Sequence, residues 1–170
     1  MEKLDRALYR VEKFFAELGG WIVVLMMLTV SYDVISRYCF GAPTKWSLEV
    51  NEYFLLAVVY LPGAWALRVG GHVRVDVFYL RFPKETRLKL DILTSILGLI
   101  FSAILTAEAF RFVYDGYITG ARSETYLEVL QWPIRLIMAV GALLVFFEFM
   151  LSIYRNYRAL SSPEIRMEEE

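Results

Sequence analysis

The strongest constraint in this sequence is the alternation of four long apolar blocks with bunched charge. The blocks run roughly from Leu18 to Ile35, Val50 to Leu67, Ile92 to Ala107 and Trp132 to Tyr154. Charged residues gather in Met1 to Glu17, Arg68 to Asp91, Arg111 to Glu128 and Arg155 to Glu170. Each block approaches the ~20 residues that carry a helix across a ~30 Å hydrocarbon core. Lipid offers no partner for backbone N–H and C=O groups, so such blocks have to be helical. The sequence therefore predicts an all-α membrane protein of four transmembrane helices, forming one domain over residues 1–160. The expected spans are about 18–38, 49–68, 88–110 and 132–154, followed by a disordered cytoplasmic tail at 161–170. That tail, with Ser161-Ser162-Pro163 and Glu168-Glu169-Glu170, has nothing to bury. The first block is too long for a signal-peptide core and no small-x-small cleavage site follows it, so the first helix is read as part of the mature protein.

Composition narrows the function classes. With 58% hydrophobic residues in 170 positions, the chain carries more apolar surface than one small soluble core hides. A net charge of −1 leaves no basic stripe for nucleic acid. A single cysteine, Cys39, excludes an intrachain disulfide framework, and a single histidine, His72, excludes a bis-histidine haem or a multi-histidine metal site. No cofactor is predicted, and without a clustered nucleophile, base and metal ligand the chain does not read as an enzyme.

Orientation follows from Lys and Arg. The N-terminal segment (Lys3, Arg6, Arg10, Lys13), the middle loop (Arg68, Arg74, Arg81, Lys84, Arg87, Lys89) and the tail (Arg155, Arg158, Arg166) hold thirteen, against five (Arg37, Lys45, Arg111, Arg122, Arg135) in the other loops and their flanks. The positive-inside rule then places both termini and the middle loop in the cytoplasm. Before the first span, Leu4, Leu8, Val11, Phe15 and Leu18 recur at helical spacing among charged residues. This predicts an N-terminal amphipathic helix lying in the cytoplasmic interface.

The charges also have a depth. No ionisable group other than Tyr60 falls near the midplanes expected around Met26, Val58 to Tyr60, Leu99 and Ala142. Proton relays and ion sites of transporters show themselves as acidic or basic residues well inside a span, so this chain is not expected to form the translocation path. Charges enter the spans toward the outer side instead: Asp33 and Arg37 one turn apart on the first helix, and Glu49 and Glu52 sharing a face at the start of the second. They read either as local pairs or as a polar seam between these helices or toward a partner. Glu148 and Asp91 need cations, which the basic middle loop can supply. His72 and Asp76, in the glycine-bearing stretch Arg68-Val-Gly-Gly-His-Val-Arg-Val-Asp76, could pair, but no nucleophile or second ligand accompanies them, and a structural loop is the reading preferred.

One ordered set of residues resembles a known family. Arg37-Tyr38-Cys39-Phe40, Trp46, Glu49 and Glu52, Gly63-Ala64, and the stretch from Arg68 through His72 to Asp76 look like the small membrane subunit, the DctQ type, of tripartite ATP-independent periplasmic (TRAP) transporters. The resemblance covers the first two helices and the middle loop; Ser123, Trp132 and Gly141 fit more weakly, and only Pro133 accompanies the tryptophan where the family often has prolines on both sides. It implies an accessory small subunit in the bacterial inner membrane, surrounded by membrane lipids. Its implied partners are a large multi-spanning subunit holding the sodium and substrate sites, and a periplasmic substrate-binding protein for organic acids such as C4-dicarboxylates or sialic acid. By resemblance, Arg37, Trp46, Glu49, Glu52, Arg68, His72 and Asp76 are the candidate interface or fold-defining positions, and the outer loops around Lys45 and Arg122 are candidates to receive the binding protein. The competing reading is a self-sufficient four-helix homodimeric exporter, which would call for a mid-helix acid and a weak Lys/Arg bias.

Overall fold

The computed structural model describes residues 2–70 and 83–161, with residues 2–4, 84 and 85 as helical backbone only. Its helices are α1 (Glu2–Phe40), α2 (Ser47–Tyr60), α3 (Gly63–Arg68), α4 (Lys84–Thr119) and α5 (Gln131–Leu160). Four segments are long and apolar enough to cross a membrane: Asp5–Phe40, Ser47–Arg68 (α2 and α3 together), Thr86–Thr119 and Gln131–Leu160. His72, Asp76 and the tail from Ser162 onward lie outside the described residues.

The second span is broken at Leu61-Pro62. Pro62 has no N–H to continue the helical ladder and its ring disturbs the preceding turn. The chain resumes at once: the Leu61 N–H bonds the Ala57 carbonyl at 3.0 Å and the Ala66 N–H bonds the Pro62 carbonyl at 2.9 Å. Small residues make room for the break. Gly19 of α1 faces the Pro62 ring, and Gly141 of α5 lies against the Tyr60 carbonyl so closely that any side chain there would meet backbone. Ala57 and Ala64 are buried beside it.

α4 and α5 form a tight antiparallel hairpin. Ser95, Ser102, Ala109 and Gly116 recur every seventh residue on the buried line of α4. The Phe149 ring fills the space over Gly98, and the Ser95 and Ser152 hydroxyls meet at 3.4 Å. Small residues at such spacing let two helix backbones approach where no hydrophobic effect drives them together. Charges at Glu108, Arg111 and Asp115 do not stop α4, which runs past residue 110 to Thr119; hydropathy marks the lipid boundary, whereas a helix ends where the backbone is capped. Here Gly120 takes φ +60 and the Ala121 N–H returns to the Gly116 carbonyl at 3.3 Å, a Schellman closure.

α1 departs from the expected two-part reading, since no break separates an interfacial helix from the first span. Its inward line is Asp5, Leu8, Glu12, Phe15, Gly19, Ile22, Met26, Thr29, Asp33 and Ser36, an unbroken three-four repeat. Of the expected apolar stripe, Leu8 and Phe15 lie on this line, whereas Val11 and Leu18 sit one position to the side of it, and Val11 is exposed.

The packing order is α1, then α2 and α3, then α5, then α4. Among the described residues α1 and α4 share no substantial contact, so the helices form an open row rather than a closed bundle. α5 carries more buried residues than any other helix, Ala139, Gly141, Ala142, Leu144, Glu148 and Leu151. Apolar side chains stay exposed along the outer helices of the row, including Trp21 and Met27 on α1 and Leu97, Phe101 and Ile104 on α4.

Candidate functional site

The break at Pro62 carries α3 to an end where Arg68 is surrounded by acids from two other helices. Arg68 Nε lies 2.6 Å from Glu12 Oε2, Nη2 lies 2.8 Å from Glu148 Oε2 and Nη1 lies 3.2 Å from Asp5 Oδ1. Arg155, two turns further along α5 than Glu148, reaches Asp5 Oδ1 at 3.2 Å and also pairs with Glu148. The Tyr9 ring covers the Arg68 guanidinium, 5.7 Å from centroid to Cζ, and meets Trp65 edge-on at 5.4 Å. Glu12 and Glu148 are 0% exposed.

Three carboxylates and two guanidiniums thus join α1, α3 and α5. A planar guanidinium with five donors suits such a junction, because it can address several oxygens at fixed angles. The contact with Glu12 is one of charge proximity: at 2.6 Å it is a close ion pair, yet neither Glu12 oxygen nor Arg68 Nε has a directed hydrogen bond among the described residues. The arrangement is a clasp that holds α1, which has little apolar packing of its own.

At the opposite end a second carboxylate organises the loop between α4 and α5. Glu49, buried in the first turn of α2, accepts from the Tyr53 hydroxyl at 2.6 Å and from the Leu127 N–H at 3.0 Å. The loop is a short hairpin, with the Ser123 N–H on the Val129 carbonyl at 2.9 Å and the Gln131 N–H on the Ala121 carbonyl at 3.0 Å. Glu128 adopts a φ of 45, and Lys45 Nζ sits 5.2 Å from the centre of the Tyr126 ring. Between α1 and α2, Asp33 accepts from the Thr44 N–H at 3.0 Å and from its hydroxyl, while Arg37 donates to it at 2.7 Å. Thr29 donates to Asn51 Oδ1 at 3.0 Å, and Trp46 stacks on Tyr32 at 6.3 Å.

The candidate positions therefore separate. Arg68 is the hub of the clasp, Glu49 is the anchor of the loop, and Trp46 belongs to the α1–α2 contact. Arg37 pairs with Asp33 but is exposed. Glu52 is exposed while Glu49 is buried, so the two acids do not share one environment as their spacing suggested; three residues turn Glu52 away from the loop. Sequence reading missed Asp5 and Glu12, placing them on the solvated side of α1; the middle-loop set expected to supply a cation for Glu148 does so through Arg68, while Arg155 is a partner it did not name. A signal existed: Asp5, Glu12 and Gly19 are spaced by sevens, the period of a buried helix line.

The family described as "Tripartite ATP-independent periplasmic transporters, DctQ component" matches residues 26–159. The chain is 24% identical over 156 residues to the ectoine TRAP transporter small permease protein TeaB of Halomonas elongata, covering 90% of this chain and 77% of that protein. It is 27% identical over 116 residues to the C4-dicarboxylate TRAP transporter small permease protein DctQ of Pseudomonas aeruginosa, covering 65% of this chain and 55% of that protein. With all four spans inside the match or overlapping it, the chain belongs to the DctQ family of TRAP transporter small permease components, and it is a transporter component rather than an enzyme.

Proposed function

We propose that this chain is the accessory small subunit of a sodium-coupled, binding-protein-dependent TRAP transporter in a bacterial inner membrane, and that it acts as a static scaffold for a large multi-spanning subunit. The observation that carries this reading is the open row of helices. Apolar side chains are left uncovered along α1 and α4, and the charged clusters of the described spans, Arg68 with Glu148 and Asp33 with Arg37, sit away from the expected midplanes. A transport path needs polar groups at depth, whereas a scaffold needs a stiff apolar surface. The Arg68 clasp and the Glu49-anchored loop stiffen the row at its two ends. Both termini lie in the cytoplasm, supported by the thirteen-to-five distribution of Lys and Arg. The two loops that bear Lys45 and that bear Arg122 and Tyr126 then face the periplasm, where a substrate-binding protein arrives. The solute is an organic acid; the named relatives carry ectoine and C4-dicarboxylates in their names, and its recognition lies in the other subunits.

The test is to purify the tagged chain, expressed from its own operon, in gentle detergent or nanodiscs and to weigh what accompanies it. A one-to-one companion with many more spans is expected, and sodium-driven uptake in proteoliposomes should require both chains and the binding protein. A stable homodimer active alone in uptake or efflux would overturn the reading.

A further inference from the structure

Between Asp5 and Lys13, α1 is sorted by charge sign. Asp5 and Glu12 face inward, where Arg68 and Arg155 hold them. Arg6, Arg10, Lys13 and Glu17 fall on the opposite half of the helix and are exposed. Glu17 is paired with Lys13 at 3.8 Å, so the outward half is net positive. Phe14 and Trp21, 60% and 70% exposed, lie on this same half, Trp21 nearly two turns further toward the lipid. An unpaired amphipathic helix would spread both signs around its circumference; here the clasp takes up the acids and leaves the bases and aromatics outside.

We propose that this outward face, Arg6, Arg10 and Lys13 above Phe14 and Trp21, docks on the headgroups of anionic phospholipids in the leaflet at the Arg68 end. The charge complementarity commits the face to that occupant. Guanidinium and ammonium groups are attracted to a phosphate-bearing negative surface, while the aromatic rings settle at the boundary between headgroups and acyl chains. The clasp acts as a positioning device, since it sets the rotation of α1 that turns the bases outward. The inference rests on the membrane-spanning reading of α1 and is independent of any transporter partner.

The experiment uses the full chain in detergent, titrated separately with phosphatidylglycerol and phosphatidylcholine of equal chain length, with bound lipids counted by native mass spectrometry. The wild type is expected to retain phosphatidylglycerol about tenfold better than phosphatidylcholine, and the R6Q/R10Q/K13Q variant to lose that preference to within about twofold. K45Q/R122Q, which removes bases at the opposite end, should keep the preference, and unchanged helical circular dichroism in both variants keeps the comparison fair. Equal preference in wild type and triple variant overturns the proposal. So does loss of preference in K45Q/R122Q alone, or a triple variant that keeps its lipids but no longer holds a co-purifying membrane subunit, which would make the face a protein interface.

Discussion

Arg68 shows how much one side chain can decide when it meets three carboxylates from two other helices at once. Removing it leaves Glu12 and Glu148, both 0% exposed, with their charge largely uncompensated. Breaking a buried pair from one side costs roughly 3–5 kcal/mol. R68A should accordingly lower the denaturant midpoint of the purified chain by a large margin, R68K should recover only part because an ammonium cannot address three carboxylates at once, and R68A/E12Q should be more stable than R68A. If R68A unfolds at the wild-type midpoint, the clasp contributes nothing. Gly141 makes a comparable case by volume. Its Cα faces the Tyr60 carbonyl, so G141V has to push α5 away from α2, at a cost of about 1–3 kcal/mol or more, again read as a lowered unfolding midpoint. Arg68 and Gly141 both stood in the sequence pattern that resembles the family, Arg68 at the close of a span and Gly141 more weakly. Glu12 carried only its sevenfold spacing with Asp5 and Gly19, because a charge in a charged segment shows little of its burial until the helix across from it is known.

At the scale of elements, the helices were legible and their limits and faces less so. Apolar length reveals a span because lipid demands it. It does not reveal that α4 continues to Thr119, where the Gly120 closure is what ends it. Nor does the stripe Leu4, Val11, Leu18 give the true inner line of α1, since polar pairing at Asp5, Glu12 and Asp33 outweighs apolar burial in a helix that has lipid on its remaining sides. The sevenfold recurrence of Ser95, Ser102, Ala109 and Gly116 was present in the sequence and describes the α4–α5 contact better than apolar residues do. Exchange of one element's anchor tests the loop at the Glu49 end. E49Q replaces a charged acceptor of the Leu127 N–H with a neutral one, and a hydrogen bond to a charged group contributes about 1.5–3 kcal/mol. Amide hydrogen exchange at Leu127 should accelerate at least about tenfold while the helices keep their protection; unchanged exchange there would show that the hairpin holds itself.

At the scale of the molecule, orientation has a probe already in place. Cys39, the single cysteine, is exposed at the end of α1 remote from Arg68. A membrane-impermeant maleimide should label it in intact spheroplasts without lysis, and labelling seen only after lysis would place both termini outside. The row itself was not legible, because hydropathy counts spans without saying whether they close on one another. Its middle member also differs from its neighbours. Ser47–Arg68 has 22 residues, whereas the flanking segments Asp5–Phe40 and Gln131–Leu160 have 36 and 30. At ~1.5 Å per residue the short segment is about 33 Å long, close to the bilayer's own thickness, and its neighbours exceed it. A row of unequal heights cannot match a flat slab of lipid along its whole width: the broken helix already fits the hydrocarbon core, and its longer neighbours have to tilt or extend past the headgroups. Hydrophobic mismatch then falls on the flanking helices, and their tilt becomes the term by which the protein distinguishes a thick bilayer from a thin one.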